Sequence, residues 1–230
     1  MLETKIEIVV ATRYSEQDFW TQSALGKSLM RFSFDTRIQY RVTHSNFLGL
    51  PSIYNSAISV TSDETILVFI HDDVWLDDYY LVDRIVSGLQ QFDVIGLAGN
   101  VTRSEAQPSW RYLFIDGKPI WDDLENCSGR IGLGIPPLSQ VINWGIVPAK
   151  CELLDGVFLA TKATTLKQNN IFFDERFDFH FYDMDFCRSV RAKNLSLGTW
   201  PICVTHESDG VFFSEPWYKN YHLYIQKWGS

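Results

Sequence analysis

Ile66-Leu67-Val68-Phe69-Ile70-His71-Asp72-Asp73-Val74-Trp75 decides how this chain is read. Five consecutive apolar residues, β-branched and aromatic, end abruptly in three polar groups. An apolar run without polar alternation reads as a strand buried on both faces, the usual state of a central strand in a parallel α/β sheet. Open α/β sheets bind ligands outside the carboxyl ends of their strands, so His71, Asp72 and Asp73 stand where such a fold places its chemistry. His71 and Asp73 are two apart and project to the same side if the pleat continues. A carboxylate pair beside an imidazole suits a divalent metal. The same residues also suit a strand-end turn followed by a helix cap.

Toward the N-terminus, Ile6–Ala11 reads as a first strand that leaves through Thr12-Arg13-Tyr14-Ser15. Ser15 with Glu16 and Asp18 makes a helix start, and Phe19, Leu25, Leu29 and Met30 follow one face. Ile38–Thr43 reads as a second strand ending at His44-Ser45-Asn46. Residues 49–60 form a helix with Pro51 in its first turn, where proline is tolerated. This β-α-β-α-β order, with polar residues after each strand, is that of a nucleotide-binding half-sheet. Thr12, Arg13 and Asn46 are expected to gather near His71 and Asp73.

Toward the C-terminus, residues 77–91 have helical spacing and residues 94–99 read as a buried strand closed by glycine. From 102 to 148 the pattern breaks. Asp116-Gly117 signals a hairpin between Tyr112-Leu113-Phe114-Ile115 and Ile120-Trp121, and the glycine- and proline-rich stretch 129–137 shows no periodicity. Long irregular segments in compact domains tend to be functional loops. Trp110, Trp121 and Trp144 are therefore candidates for stacking on a sugar, or else pack the insert against the body. Residues 153–160 read as a strand interrupted by Asp155-Gly156, the sign of a bulge or a close backbone approach. A helix follows at 162–168. Asp183 and Asp185 open another that runs to about Lys193, where acids are favourable through the macrodipole. Residues 197–204 read as a last strand, delivering Thr205-His206-Glu207-Ser208, and the aromatic tail Glu215–Trp228 is expected to fold back on the body.

At 230 residues the chain can bury a sizeable core as one domain. A formal charge of −8 argues against a nucleic-acid surface, and a phosphorylated ligand would need a metal ion or local arginines to offset it. Aromatic residues make up 15% of the chain, a composition that either lines carbohydrate sites or fills core. Cys127, Cys151, Cys187 and Cys203 show no metal-binding spacing and read as mostly buried, reduced thiols. No signal-peptide or membrane-spanning apolar segment is apparent, so a cytoplasmic location is expected.

Taken in order, these features resemble the GT-A nucleotide-sugar glycosyltransferases, particularly the inverting group related to family 2. His71-Asp72-Asp73 stands in the place of that family's D-x-D. Asp155-Gly156 follows the variable middle. Phe181-Tyr182-Asp183-Met184-Asp185-Phe186 is similar to the family's E-D-x-D segment, and His206 follows the closing strand, where many GT-A enzymes place a metal-ligating histidine. The likeness runs from Ile6 to about Gly210. It departs where His71 replaces the first Asp of D-x-D, where Tyr182 replaces the Glu of the E-D pair, and at His44–Asn46, which stands for an acidic base-reading residue.

The resemblance implies a GT-A, Rossmann-like, mostly parallel central sheet flanked by helices, in one domain over residues 1–230. Residues 1–101 would be the nucleotide-binding half, 102–148 a variable loop and hairpin region forming an irregular insert near the active site, 149–210 the acceptor and catalytic half, and 211–230 an aromatic tail. It implies Mn²⁺ or Mg²⁺ held by Asp73 and His206, the ion offsetting charge on a departing diphosphate, with histidine tilting the choice toward Mn²⁺. Asp183 would be the general base that takes the proton of an acceptor hydroxyl, in a single displacement that inverts the anomeric centre. Asp185 would orient the local structure or cap its helix. Thr12, Arg13, Asn46, His71, Asp72 and Asp155 would surround a nucleoside-diphosphate sugar. The acceptor would be a glycan or small molecule, in a bacterial surface-polysaccharide or secondary-metabolite pathway.

Three rival readings remain. A sugar nucleotidyltransferase would need a glycine-rich phosphate loop after the first strand, which Thr12-Arg13-Tyr14-Ser15 does not supply. An HD-type phosphohydrolase carries its His-Asp pair on a helix in company with further histidines, whereas this one ends a strand. A catalytically degenerate GT-A domain would bind nucleotide or glycan without turnover.

Overall fold

The computed structural model describes residues 4–208 and 210–229. Its first part runs β1 (Ile6–Ala11), α1 (Glu16–Gln22), α2 (Ala24–Met30), β2 (Ile38–Thr43), α3 (Leu50–Val60), β3 (Ile66–Ile70), β4 (Val74–Leu76), α4 (Leu81–Gly88), β5 (Val94–Gly96) and β6 (Ala98–Asn100). Strands alone follow: β7 (Tyr112–Ile115), β8 (Lys118–Trp121), β9 (Cys127–Leu133), β10 (Gln140–Asn143), β11 (Ala149–Cys151), β12 (Leu153–Leu154) and β13 (Phe158–Lys162). The chain closes with α5 (Ala163–Gln168), α6 (Tyr182–Ala192), β14 (Leu197–Thr199), β15 (Val204–His206) and α7 (Glu215–Trp228).

A seven-stranded sheet ordered β11-β14-β5-β13-β3-β1-β2 carries the core. β1 runs parallel to both neighbours, with Ile6 opposite Ile38 on one side and Ile66 on the other. Every residue of β3 is buried, and each of its side chains contributes roughly 1.5–3 kcal/mol by leaving water. That burial is what fixes the strand's end, and with it His71, in space. The sheet is mixed rather than mostly parallel in its pairings. β13 is antiparallel to both β3 and β5, and β11 is antiparallel to β14. β1, β2, β3, β5 and β14 share one direction, and β13 opposes them from the interior. Phe158, Leu159 and Ala160 are fully buried like their neighbours. A strand buried on both faces carries no mark of its direction in its sequence.

Beside it lies a second sheet, ordered β12-β6-β9-β15-β4, with β10 on β9. It accounts for three corrections. Residues 94–99 are not one strand but the pieces β5 and β6, which belong to different sheets, and residues 197–204 divide likewise into β14 and β15. The stretch 129–137 is not irregular throughout, because residues up to Leu133 belong to β9. The two glycines of this stretch within β9 are packing residues rather than loop residues: a Cβ on Gly129 would stand 2.7 Å from the Ala98 backbone, and one on Gly132 2.6 Å from Thr205 Oγ1. Two helices are also shorter than their periodicity suggests. The helix expected over 77–91 is ordered only over Leu81–Gly88, and the one starting at Ser15 breaks at Ser23, which caps α2 by accepting from the Gly26 amide.

The hairpin β7–β8 forms as expected, Asp116 and Gly117 both taking the positive φ that a two-residue turn of this kind requires. The aromatic tail is α7, with Trp217 and Tyr224 buried against the body. No helix among the described residues is long and apolar enough to cross a membrane. Three of the four cysteines are buried and all are free thiols; Cys203 is exposed.

Candidate active site

A cavity of about 230 Å³ opens at the carboxyl end of β3. His71, Asp72 and Asp73 from β3, Asp155 and Gly156 from the break between β12 and β13, Tyr182 and Asp183 from the start of α6, and His206 from β15 all line it. The break before β13 and the turn into α6 are joined by backbone groups. The Gly156 amide donates to Asp183 Oδ2 at 2.9 Å, and the Met184 amide donates to Asp183 Oδ1 at 2.8 Å. The Tyr182 hydroxyl donates to the Gly156 carbonyl at 2.8 Å. A Cβ on Gly156 would stand 2.3 Å from that hydroxyl, so the interruption Asp155-Gly156 marks a place where α6 and the sheet touch without room for a side chain. Phe181, just before α6, takes a left-handed backbone, with φ of 66°, a costly conformation for a bulky residue.

One side of the cavity gathers metal-ligating groups. His71, Asp73 and His206 each offer one ligand atom, and these atoms lie within 4.8 Å of one another. His206 Nε2 sits 3.1 Å from Asp73 Oδ1, and the Ser208 hydroxyl donates to Asp73 Oδ2 at 2.8 Å. Burial pushes the Asp73 carboxyl up, but the hydrogen bond and charge of His206, the charge of His71 and the Ser208 hydroxyl outweigh it and hold the group down at about 2. It is a carboxylate at any working pH. Two imidazole nitrogens and a carboxylate oxygen at this spacing form a donor set that fits a divalent ion, with room left for oxygen ligands from a substrate.

At the start of α6, Asp183 is pushed up to about 7, first by burial and then by the charge of Asp155, against the pull of its backbone donors. Asp155 is itself held by the Trp110 indole N–H at 2.5 Å and the Val157 amide at 2.8 Å. Asp72 accepts from the Thr12 hydroxyl at 2.5 Å, and burial raises its carboxyl above the ordinary range despite that bond.

Thr12 thus joins the site through Asp72. Arg13 and Asn46 are not among the residues lining the cavity: Arg13 stacks over Phe47 at 5.2 Å, and Asn46 closes its own turn by bonding Leu48. Of the tryptophans, Trp110 and Trp144 line the cavity and meet edge to face, whereas Trp121 packs on Tyr112 in the exposed hairpin. Asp185 points away, accepting from the Trp228 indole and from Lys227, both at 2.7 Å, and so anchors α7.

Two contributors, Ser208 and Arg111, carried no role in the sequence reading, and a third, Tyr182, stood there only as a departure from E-D-x-D. Ser208 bonds Asp73 but belongs to no motif. Tyr182 faces His71 at 2.8 Å, a pairing 111 residues apart in sequence. Arg111, 6% exposed, lines the cavity with its guanidinium among the rings of Trp110, Tyr112, Trp121 and Phe212, at 4.7–6.0 Å from their centroids. The aromatic density around residue 111 is the one signal that could have singled it out.

The family model described as "Glycosyltransferase like family" matches residues 40–228. No curated protein matches the chain by sequence. Among solved structures, a mutant of Drosophila β1,4-galactosyltransferase 7 in complex with manganese, UDP-Gal and xylobiose is similar at a TM-score of 0.51 and 12% identity, over 94% of this chain and 74% of that one. Staphylococcus aureus TarS is similar at 0.50 and 13% identity, over 89% of this chain and 37% of that one. The Drosophila catalytic domain complexed with xylobiose matches at 0.49 and 12% identity, over 86% of this chain, which spans 65% of that one. The fold is the α/β fold of the GT-A glycosyltransferases.

Proposed function

We propose that this chain, which belongs to the glycosyltransferase-like family, is a metal-dependent inverting transferase that moves a sugar from a nucleoside diphosphate to an acceptor hydroxyl. The observation that carries the reading is that Asp183 lines one cavity with the cluster of His71, Asp73 and His206. Asp73 and His206 would hold Mn²⁺ or Mg²⁺, and such an ion offsets the charge that gathers on a departing diphosphate. The relative solved with manganese and UDP-Gal supports this choice of ion and donor class.

The chain's own residues do the rest. Asp183 is a carboxylate whose proton affinity is raised to about 7, close to the optimum for a base working near neutrality. Its two oxygens are fixed by the Gly156 and Met184 amides, so it is oriented before a substrate arrives. It takes the acceptor proton as the new C–O bond forms, and a single displacement inverts the anomeric carbon. Trp110 holds Asp155 beside the base, and Asp155, Asp72 and Thr12 would contact the donor. Trp110 and Trp144 form an apolar wall on which a sugar ring can stack.

The test is melting temperature against a panel of nucleoside diphosphates, each with and without Mn²⁺ or Mg²⁺. A ligand that binds only the native state raises the melting point by mass action. A shift that needs both nucleotide and metal supports the reading and names the base. No shift in folded protein refutes it and leaves, of the degenerate reading, only a glycan-binding domain without turnover.

A further inference from the structure

Two of the places where this chain departs from the D-x-D and E-D-x-D patterns are His71 and Tyr182, and they are opposite ends of one hydrogen bond. His71 Nε2 lies 2.8 Å from the Tyr182 hydroxyl. A phenol has one proton to give, and Tyr182 gives it to the Gly156 carbonyl at 2.8 Å. The contact with His71 must then run the other way, with the imidazole Nε2–H donating to the phenol oxygen. That assignment leaves Nδ1 of the neutral ring with its lone pair free for a cation. Phe179 stacks on the same ring at 5.7 Å and 28°, which limits its rotation.

We infer that His71 is a third protein ligand of the cation, and that Tyr182 is the positioning residue that sets its tautomer. The inference rests on the metal-dependent reading above and adds to it. A metal-bound histidine that gives its other N–H to a fixed acceptor is the usual way a ligand ring is oriented, and losing the acceptor typically costs 10–100-fold in metal affinity. Two imidazoles and a single carboxylate also change the preference among ions. Mg²⁺ takes hard oxygen ligands and keeps its waters, whereas nitrogen donors favour divalent ions of the transition series. The His71–Tyr182 pair therefore converts an oxygen-rich site into one selective against Mg²⁺.

Mn²⁺ binding followed by electron paramagnetic resonance, with and without UDP, tests this without recourse to turnover. In the wild type, pulsed measurements are expected to show two directly bound nitrogens, and a hundred-fold excess of Mg²⁺ should leave the signal in place. Tyr182→Phe, which keeps the ring and its packing, should weaken Mn²⁺ about 10–100-fold at an unchanged melting profile. His71→Asp should show one bound nitrogen and let Mg²⁺ compete. Should Tyr182→Phe fail to fold, the nitrogen count in the wild type and in His71→Asp decides alone. A single bound nitrogen in the wild type, or a Tyr182→Phe affinity equal to the wild type's, overturns the inference and leaves a site of Asp73 and His206 standing. No Mn²⁺ bound under either condition overturns that metal site as well.

Discussion

The two walls of the cavity are built by different means. The wall from β3, β15 and the start of α6 holds its base, and the joint between α6 and the sheet, with backbone groups: amides of Gly156 and Met184 on Asp183, the Gly156 carbonyl on Tyr182, the Asp73 carbonyl on the Glu207 amide. The wall from residues 102–148 meets the cavity with side chain on side chain, Trp110 against Trp144 and Arg111 among four aromatic rings. Backbone groups recur at every residue and their positions follow from the sheet. Side-chain contacts depend on which residues happen to meet. The seat of the base is thus a property of the fold, and the aromatic face of the second wall belongs to this sequence.

If that division is right, the largest effects lie on the first wall. Asp183→Asn should lower kcat by about 10²–10⁴-fold while the metal-dependent nucleotide shift in melting point survives; loss of both together would mean that Asp183 holds the fold rather than the proton. The pH dependence sharpens this point. With the Asp183 carboxyl pushed up to about 7, the native state keeps a proton that the unfolded chain has released above the ordinary carboxylate range. Stability should therefore fall as pH rises from about 4 toward 7, while the transfer rate climbs over a limb centred near 7. Asp183→Asn should remove that fall in stability together with most of the rate, and a fall that persists would assign it to another group.

Chelation of the metal, or Asp73→Asn, comes next, at several kcal/mol of transition-state stabilisation, on the order of 10²–10³ in rate. A rate unchanged by exhaustive chelation would make the His71, Asp73 and His206 cluster a structural feature. Gly156→Ala forces a methyl into the Tyr182 hydroxyl and should cost about 1–3 kcal/mol by overpacking, read from chemical denaturation. The second wall should respond more weakly. Trp110→Phe removes the N–H that Asp155 accepts, worth about 1 kcal/mol, together with part of a buried ring that meets Trp144, and should raise the KM for acceptor several-fold at nearly constant kcat. Leu138→Ser, at a residue 89% exposed, should stay within about 0.5 kcal/mol of the wild type.

The same division explains what the sequence disclosed. Asp73, Asp183 and His206 could be singled out because each follows or opens a regular element, and β3 announces itself by five buried apolar residues. The Asp155-Gly156 interruption was legible as a close approach, although its partner, α6, was not. Direction was hidden, since β13 reverses with no change in its composition. The glycines of β9 looked like loop because a glycine that yields to a neighbouring backbone and one that permits a turn are the same letter. Ser208 and the pairing of Tyr182 with His71 were hidden because their partners lie 135 and 111 residues away and no periodicity links them; Arg111 was missed although Trp110, Tyr112 and Trp121, three of its four rings, are close to it in sequence.

One consequence follows from the contact between Gly156 and Tyr182. His71, Tyr182, Gly156 and Asp183 form a chain of hydrogen bonds that passes through a single residue, Gly156, with no clearance for even a methyl. The cation side and the base are thereby one rigid piece, like the fixed jaw of a caliper. The span between leaving group and incoming hydroxyl is set when the chain folds, and any adjustment to a larger or smaller acceptor falls to the opposite jaw.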